Sequence, residues 1–445
     1  MKTIVEPKKS IARLWGKQRI KDTDTYRMMK YVIRVDYQNE VLLHNVVTGQ
    51  LIALEKDEAI LLDRLPIGYC SEIEQLIEYH YLVDNLFDEH DQVVKMRGIL
   101  NSLQTAQQKP GITHYTILPT TACNARCYYC FEHGAKTVTM TEQTANSVVE
   151  YIGSHCNEKR QIAISWFGGE PTVAATRIDQ ICEGLRKNSI DFRSDIITNG
   201  YLFDEKMAIK AKKLWNLEQA SITLDGTENT YNRIKSYVGV RDNPYRRVLT
   251  NVGLLLDQGI KVALRMNFDL NNYFEFAGIL KELKELYPEN HLLQIRVHPI
   301  VGEYINPDGT ISHASEEWFE EKTYELNSMA RESGLLESNK ELPYLKFAGC
   351  QANQKSSMTI TPEGKIVCCP EQFGEDQIAG NIWDGITNNI IVKEWREFAD
   401  YPRCRECALF PFCEKPKLCK VGDRCCYSKE LISRFQTSMK HIMCS

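Results

Sequence analysis

The sequence lacks any uncharged apolar run that approaches the roughly 18 residues of a membrane-spanning helix. Its first residues, MKTIVEPKKSIARLWGK, contain no apolar run of signal-peptide length. A large excess of one charge is also missing: the net charge is −5 at pH 7, which gives no reason to expect nucleic acid as a partner. These absences predict a cytoplasmic protein with neither a membrane nor a nucleic acid as partner.

Cysteine, by contrast, is abundant, with 16 among 445 residues. Because thiols are kept reduced in the cytoplasm, metal or cluster ligation explains them better than disulfides do. Two groups stand out along the chain, and they predict two metal-bearing regions. The first group is Cys123-x3-Cys127-x2-Cys130, and the second contains Cys350, Cys368, Cys369, Cys404, Cys407, Cys413, Cys419, Cys425 and Cys426.

Between the two groups, β-rich segments alternate with helical patterns. The expected strands are HYTILPT, QIAISWF, DFRSDIIT, QASITLD, KVALRMNF and LLQIRVHPIV. This alternation predicts parallel βα units with right-handed crossovers. Six units rather than eight predict an α/β fold in the form of a partial (β/α)6 TIM-like barrel, open on one side.

Polar and glycine residues follow the first four expected strands. The cysteine trio follows strand one, Gly168-Gly169-Glu170-Pro171 follows strand two, Thr198-Asn199-Gly200 follows strand three, and Thr223-Leu224-Asp225-Gly226 ends strand four. Chemistry in such sheets gathers at the carboxyl ends of the strands. We therefore expect these four loops to meet on one rim.

The trio has one ligand fewer than a complete cluster needs. A [4Fe–4S] cluster normally takes four thiolates, so three would leave one iron open, much as catalytic zinc sites keep an open position. Zinc is the alternative for this loop, with His133 near enough in sequence to contribute.

The trio, with an aromatic before its last cysteine, resembles the radical S-adenosylmethionine (SAM) signature. The similarity extends through GGEP and the six βα units to about His298. It implies that the open iron binds the amino and carboxylate groups of SAM, and that SAM cleavage gives a 5′-deoxyadenosyl radical that takes a hydrogen atom from substrate. The catalytic residues that it implies are Cys123, Cys127 and Cys130. The SAM contacts that it implies are Tyr129, Gly168, Gly169, Glu170, Asn199, Thr223 and Lys235, with Arg233 as the alternative to Lys235.

The second cysteine group resembles a SPASM domain through Cys404-x2-Cys407-x5-Cys413, preceded by TPEGKIVCCPEQ and GNIWDG. This resemblance implies two auxiliary [4Fe–4S] clusters, three clusters in all. The implied ligands are Cys350, Cys369 and Cys419 for the first, and Cys404, Cys407, Cys413 and Cys425 for the second. Cys368 and Cys426 are the alternatives to Cys369 and Cys425, and a double zinc ribbon is the alternative for the region.

Residues 1–100 read as strands followed by two amphipathic helices, GQLIALEKDEAILLDRL and EIEQLIEYHYLV. They resemble the winged-helix recognition element of ribosomal-peptide maturases, to which a leader peptide adds a strand; a plain packing domain is the alternative. We expect a linker over 88–110. The expected domains are 1–100 for leader recognition, 111–305 for the partial barrel, 306–349 for a helical bridge and 350–445 for SPASM.

These resemblances imply a maturase that installs an intramolecular cross-link in a ribosomally made precursor peptide, with a thioether favoured and a C–C or C–O bond next. Its partners would be a leader-bearing precursor peptide and an external electron donor such as flavodoxin or ferredoxin. The alternatives are an anaerobic sulfatase-maturating enzyme that forms formylglycine, and a non-catalytic iron–sulfur electron carrier or peptide scaffold. Asp269, His298 and Glu303 are further candidates for catalytic bases.

Overall fold

The computed structural model describes residues 1–20, 25–107, 111–132, 134, 136–300, 304–305, 311–312, 314–337, 342–347, 349–419 and 428–443. Within these residues, no helix has both the length and the apolar character that a membrane crossing needs.

The N-terminal region, residues 1–107, is built from short strands and helices. Its elements are the strands β1 (Lys2–Val5), β2 (Thr25–Met28), β3 (Val32–Tyr37), β4 (Glu40–Asn45), β5 (Leu51–Glu55), β6 (Ile67–Gly68) and β7 (Leu82–Asp84), and the helices α1 (Lys9–Trp15), α2 (Lys56–Ala59), α3 (Glu74–Glu78) and α4 (Glu89–Gln107). They form one antiparallel sheet of order β1-β5-β4-β3 and a smaller sheet of order β6-β2-β7.

Strand β5 corrects the expected helix over GQLIALEKDEAILLDRL, because Leu51–Glu55 is extended and the helical part begins only at Lys56. The reason is that β5 is buried on both faces. Leu51 and Ala53 enter one core, and Ile52 and Leu54 enter another. A doubly buried strand reads as a continuous apolar run, which periodicity cannot distinguish from a buried helix.

Helix α4 corrects the expected linker over 88–110. His90, Val93, Met96 and Arg97 are 5% exposed or less. Their three- and four-residue spacing places them on one face of the helix, and that face packs against the C-terminal region. The segment 88–110 is therefore a packed structural element over most of its length.

The expected alternation of strands and helices in the middle of the chain is confirmed. The elements are β8 (His114–Thr120), α5 (Glu142–His155), β9 (Gln161–Gly168), α6 (Ala175–Lys187), β10 (Asp191–Thr198), α7 (Glu205–Lys213), β11 (Leu217–Thr223), α8 (Glu228–Lys235), α9 (Pro244–Asp257), β12 (Lys261–Phe268), α10 (Phe276–Leu286) and β13 (Leu293–Pro299). Neighbouring strands from β8 to β13 pair in parallel and in chain order. Their carboxyl ends therefore lie along one edge, where the expected site loops begin.

The C-terminal region continues the same sheet. Its elements are β14 (Tyr304–Ile305), β15 (Ile311–Ser312), α11 (Glu316–Glu332), β16 (Ser357–Ile360), β17 (Lys365–Val367), β18 (Ile378–Asn381), β19 (Gly385–Ile386), α12 (Asn389–Arg396) and α13 (Ser428–Met443). Strand β16 pairs in parallel with β8, with Met358 opposite Tyr115 and Ile360 opposite Ile117. In the described part of the chain this gives a mixed sheet of order β13-β12-β11-β10-β9-β8-β16-β17-β18-β19, which crosses the expected domain boundary at residue 350.

The N-terminal and C-terminal regions share one hydrophobic core. Phe410, Phe435 and Met439 from the C-terminal region cluster with Tyr31 and Ile33 from the N-terminal region. Phe410 is 2% exposed, and the ring of His90 stacks on it with centroids 4.5 Å apart. The first hundred residues therefore pack against the cysteine-rich region.

Phe410→Ala should lower the free energy of unfolding by about 3–5 kcal/mol, because it removes a large side chain from this shared core. Phe274, which is 64% exposed, provides the matched control, and Phe274→Ala should change stability by less than about 0.5 kcal/mol. Urea titrations of the two full-length variants measure the difference. Equal midpoints for the two would contradict the shared core.

Candidate active site

The cysteine trio lies in the loop that follows β8. Burial is the main cause that raises the pKa of the Cys123 thiol to about 12, and Glu170, Cys127 and Cys130 contribute in the same direction. Burial also raises the pKa of Cys130, on which Cys127 acts in the same direction. The N–H of Cys130 donates to the carbonyl of Cys127 at 3.1 Å and the N–H of Ala125 donates to the Cys123 sulfur at 3.4 Å, so the trio lies on one tightly turned loop. A metal that binds them must displace their protons.

Two glycines allow the loop after β9 to lie against the trio loop. Gly168 has a φ of +118°, and a Cβ at this position would collide with the carbonyl of Thr120. A Cβ on Gly169 would lie 2.5 Å from the carbonyl oxygens of both Thr121 and Ala122. Only glycine fits backbones that approach this closely. The GGEP motif therefore supports the trio through its backbone.

Glu170 joins the loops after β9 and β10. Its carboxylate is fully buried and accepts hydrogen bonds from the Thr172 hydroxyl at 2.5 Å, the Thr198 hydroxyl at 2.7 Å and the Asn199 backbone N–H at 2.7 Å. Burial raises the pKa of Glu170, and these hydrogen bonds counteract the rise. The side-chain amide of Asn199 donates in turn to Asn124 in the trio loop at 2.7 Å. In this arrangement Glu170 orders the rim, and its expected SAM contact stays a prediction.

A buried ionic network lies at the ends of β11 and α8. The ammonium group of Lys235 lies 2.6 Å from a carboxylate oxygen of Asp225, and it donates to the hydroxyls of Thr223 at 2.6 Å and Tyr129 at 2.8 Å. The Tyr129 hydroxyl also donates to Asp225. Three of the expected SAM contacts, from the trio loop, β11 and α8, thus meet in one cluster.

Lys235 and Arg233, the two alternatives at the end of α8, lie in different surroundings. Lys235 is 2% exposed, whereas Arg233 is an exposed residue. Burial alone would lower the pKa of Lys235, but Asp225, Tyr129 and Cys127 outweigh it and hold the pKa well above its ordinary value. Lys235 is therefore a fixed cation beside the trio, which favours it over Arg233 as the group that would meet a carboxylate.

Sequence reasoning missed two members of this network and one neighbour of the trio. Asn267, on β12, donates its side-chain amide to both Tyr129 and Asp225 at 3.0 Å. Asp225 was seen only as part of a turn, yet it is fully buried. Asn267 and Asp225 could have been recognised in the sequence, because both lie near the carboxyl ends of expected parallel strands. Glu132 follows the trio directly, and burial raises its pKa to about 7.

The first C-terminal set of cysteines is brought together around Cys369. Burial is the main cause that raises the pKa of Cys369 to about 12, and the Glu371 carboxylate, Cys350 and Cys419 contribute in the same direction. Cys350 is acted on by Cys419 in the same way. Cys368 instead has Arg396 as its charged neighbour, which opposes the effect of burial on its pKa. Cys369 forms a β-bridge with Gln372, whose side-chain amide donates to the carbonyl of Leu418 beside Cys419 at 2.9 Å. The choice of Cys369 over Cys368 as a ligand stays a prediction.

The second C-terminal set lies on the short segment 402–413. The backbone N–H of Cys407 donates to the carbonyl of Cys404 at 3.2 Å, and the N–H of Cys413 donates to the carbonyl of Leu409 at 3.0 Å, so the segment is tightly turned. Cys425 and its alternative Cys426 lie outside the described residues, so the fourth expected ligand stays a prediction.

The candidate bases fall into different environments. Asp269 is 1% exposed and accepts a hydrogen bond of 2.5 Å from the Tyr128 hydroxyl, which fixes the trio loop against β12. Burial lowers the pKa of His298 to about 3, with help from Arg265 and Arg296, so this imidazole is neutral at pH 7. Glu303 lies outside the described residues, as does His133.

The three thiols of the trio loop are a donor set that fits an iron–sulfur cluster. No three His, Cys, Asp or Glu side chains in the described ranges are arranged to hold one ion. A four-iron cluster needs thiolates that are spread apart, because each binds a different iron. The trio loop provides three neighbouring thiols and the glycine backbone beside them provides close support.

A comparison with protein families identifies the central part of the chain. Residues 117–283 match the radical SAM superfamily. This region is a radical SAM domain. The chain is thus an enzyme of radical chemistry, and membership implies SAM and a [4Fe–4S] cluster as cofactors. A comparison with curated proteins finds no match.

Solved structures share the fold of this radical SAM protein. Native anSMEcpe with bound AdoMet and Kp18Cys peptide is 16% identical, with a TM-score of 0.56, and the match covers 74% of this chain and 98% of that chain. Streptococcus suis SuiB bound to precursor peptide SuiA is 15% identical, with a TM-score of 0.51, over 87% of this chain and 94% of that chain. Identities this low show the fold alone.

Lys235→Met should lower the free energy of unfolding by about 3–5 kcal/mol, because it leaves the buried carboxylate of Asp225 without its cation. The exposed neighbour supplies the control, and Arg233→Met should have an effect below about 0.5 kcal/mol. The double variant Asp225→Asn with Lys235→Met should recover part of the loss. Urea unfolding of the three variants measures these differences, and a Lys235→Met variant as stable as the control would contradict the buried pair.

Proposed function

We propose that this radical SAM enzyme is a maturase that installs an intramolecular cross-link in a ribosomally made precursor peptide, with a thioether as the favoured product. The observation that carries the proposal is the N-terminal region, whose antiparallel sheet packs on the cysteine-rich region. An extended peptide can add a strand to such a sheet edge and bind through main-chain hydrogen bonds.

The two structural comparisons support a peptide substrate. Both named structures hold a peptide, Kp18Cys in anSMEcpe and the precursor SuiA in SuiB. The anSMEcpe match leaves about a quarter of this chain without a counterpart, which is about the share of residues 1–107, whereas the SuiB match covers 87% of this chain. This difference favours precursor-peptide maturation over sulfatase maturation.

We assign the cofactors to residues as follows. Cys123, Cys127 and Cys130 would hold the SAM cluster. Tyr129, Thr223 and Lys235, with Gly168, Gly169 and Asn199 beside the trio, would line the SAM site. When bound, SAM and the reduced cluster supply the 5′-deoxyadenosyl radical. The Lys235 ammonium, held by Asp225 at 2.6 Å, would offer a fixed positive charge to an anionic group.

Thioether formation sets a requirement for electrons. One S–H bond and one C–H bond break, and one C–S bond forms, so the peptide loses two hydrogens. One leaves as the abstracted hydrogen atom, and the other leaves as a proton with one electron that an acceptor must take. Auxiliary clusters on the C-terminal cysteines would supply that acceptor, and an external flavodoxin or ferredoxin would supply the first reducing electron.

The leader peptide would pair with an outer strand of the N-terminal sheet, either β1 or β3. Helix α13 lies beside β3, where the Gln436 side chain donates to the backbone carbonyl of Arg34 at 2.9 Å. A strand added at β3 would replace this hydrogen bond. We propose in addition that this N-terminal region is a winged-helix domain.

Sulfatase maturation is the second candidate, since the anSMEcpe match covers 74% of this chain, which is more than the barrel alone. Mass spectrometry of a cysteine-containing precursor peptide after turnover separates the two reactions. A cross-linked peptide keeps its sulfur and loses two hydrogens, whereas formylglycine formed from Cys loses the sulfur. A product without sulfur would overturn the cross-linking proposal.

Changing Cys123, Cys127 and Cys130 together to Ala should remove about four irons per chain. Formation of 5′-deoxyadenosine should stop, while the irons of the C-terminal region remain. Cys70→Ala, at a half-buried cysteine outside both groups, is the control and should keep full iron and activity. Iron analysis and chromatography of 5′-deoxyadenosine provide the measurements. If the triple variant still forms 5′-deoxyadenosine, the assignment of the trio is wrong.

Cys369→Ala should cost about four irons and the cross-link, whereas Cys368→Ala should keep both, because the proposed ligand set is Cys369 with Cys350 and Cys419, both of which act on the pKa of Cys369. Three thiolates would leave one iron of this auxiliary cluster open to a substrate sulfur. Addition of precursor peptide should therefore perturb the electron paramagnetic resonance (EPR) signal of this cluster, and a Cys-to-Ser peptide should not. Loss of iron in Cys368→Ala would instead indicate a fully ligated cluster and would remove the main support for a thioether.

A further inference from the structure

Arg97, on α4, reaches from the N-terminal side of the chain into the cysteine-rich segment 402–413. It is 4% exposed. One terminal nitrogen, Nη2, donates to the carbonyls of Phe410 at 2.5 Å, Pro411 at 3.1 Å and Cys413 at 2.8 Å, and Nε donates to the carbonyl of Lys346 at 3.0 Å. The guanidinium thus holds the end of the Cys404–Cys413 segment through its backbone.

The other contacts of Arg97 are aromatic. Its guanidinium carbon lies 4.5 Å from the ring centre of Phe398 and 4.6 Å from that of Phe410. No ion pair to Arg97 occurs within the residues that the structure describes. Asp400 influences the pKa of Arg97 only through space. Its carboxylate pairs with His90 instead, 2.8 Å from Nε2.

A buried cation without an anion is unfavourable, and carbonyls and aromatic faces compensate only part of the lost hydration. The guanidinium donates to the carbonyl of Cys413 itself, and Cys404 and Cys407 pack against the core that contains Phe410. The thiols of the second C-terminal set are thus neighbours of the guanidinium that a bound cluster would make negative. Thiolates that hold a [4Fe–4S] cluster would give the guanidinium the anion that it lacks.

We propose that Arg97 is the counter-charge and positioning residue of the cluster held by Cys404, Cys407 and Cys413, and that its charge raises the reduction potential of that cluster. This inference rests on the cluster assignment in the proposed function. Reduction adds a negative charge to an already anionic group, so a buried cation beside it favours the reduced form. Arg97 would thereby make the cluster a better electron acceptor.

The test compares full-length, anaerobically reconstituted Arg97→Gln, Arg97→Lys and Arg405→Gln proteins with the unchanged protein in EPR-monitored redox titrations. Cys404→Ala identifies the signal of the second set as the one that it removes, together with about four irons. Arg405 is the matched control, because it is an exposed arginine between Cys404 and Cys407 and its charge is screened by solvent and salt.

Arg97→Gln should shift the midpoint potential of this signal to more negative values, or lose the cluster. Arg97→Lys should keep the cluster near the original potential, and Arg405→Gln should leave the potential unchanged. An unchanged or less negative potential in Arg97→Gln would overturn the proposal. So would equal defects in Arg97→Gln and Arg97→Lys, because shape rather than charge would then matter. If Cys404→Ala removes no iron and no signal, the cluster assignment itself fails, independently of Arg97.

Discussion

The organisation of the molecule depends on β8 having a hydrogen-bonded neighbour on both edges. On one side it pairs in parallel with β9, and its carboxyl end leads into the cysteine trio. On the other side it pairs with β16, which begins shortly after Cys350 and is followed by β17 and Cys369. A single strand therefore fixes the two cysteine regions relative to each other, and a slip in the β8–β16 register would move one against the other.

A second constraint is that each buried charge must find compensation. Glu170 finds it in hydroxyls and a backbone N–H, and Lys235 finds it in Asp225. Arg97 has only carbonyls and aromatic rings among its described direct contacts. Glu170 and Lys235 lie beside the trio loop, whereas Arg97 lies beside the segment 402–413. Groups of the protein compensate the charges of Glu170 and Lys235, so these two residues preorganise the radical SAM rim. The charge of Arg97 would be compensated only when the cysteines beside it carry negative charge.

Much of the fold followed from the sequence where local patterns carry the information. The expected strands HYTILPT, DFRSDIIT and KVALRMNF coincide with β8, β10 and β12, because strands separated by amphipathic helices leave two clear periodicities. The strand β5 and the helix α4 were misread because their apolar residues contact distant parts of the chain. The loops of the site could be placed on one rim, but the Lys235–Asp225 pair and the Asn267 contact join residues far apart in sequence, and no local pattern encodes such partners.

The three regions are interdependent, and this bears on how the chemistry is confined. Residues 1–107 supply Tyr31 and Arg97 to the surroundings of the segment 402–413, while α13 from the other end of the chain packs beside β3. A peptide that pairs with the N-terminal sheet would therefore bind to an element that already contacts a cysteine set. The N-terminal sheet and the Cys404–Cys413 segment belong to one packed unit, because Phe410 lies in the same core as Tyr31 and Ile33. A recognition module on a flexible linker would share no such core with the segment.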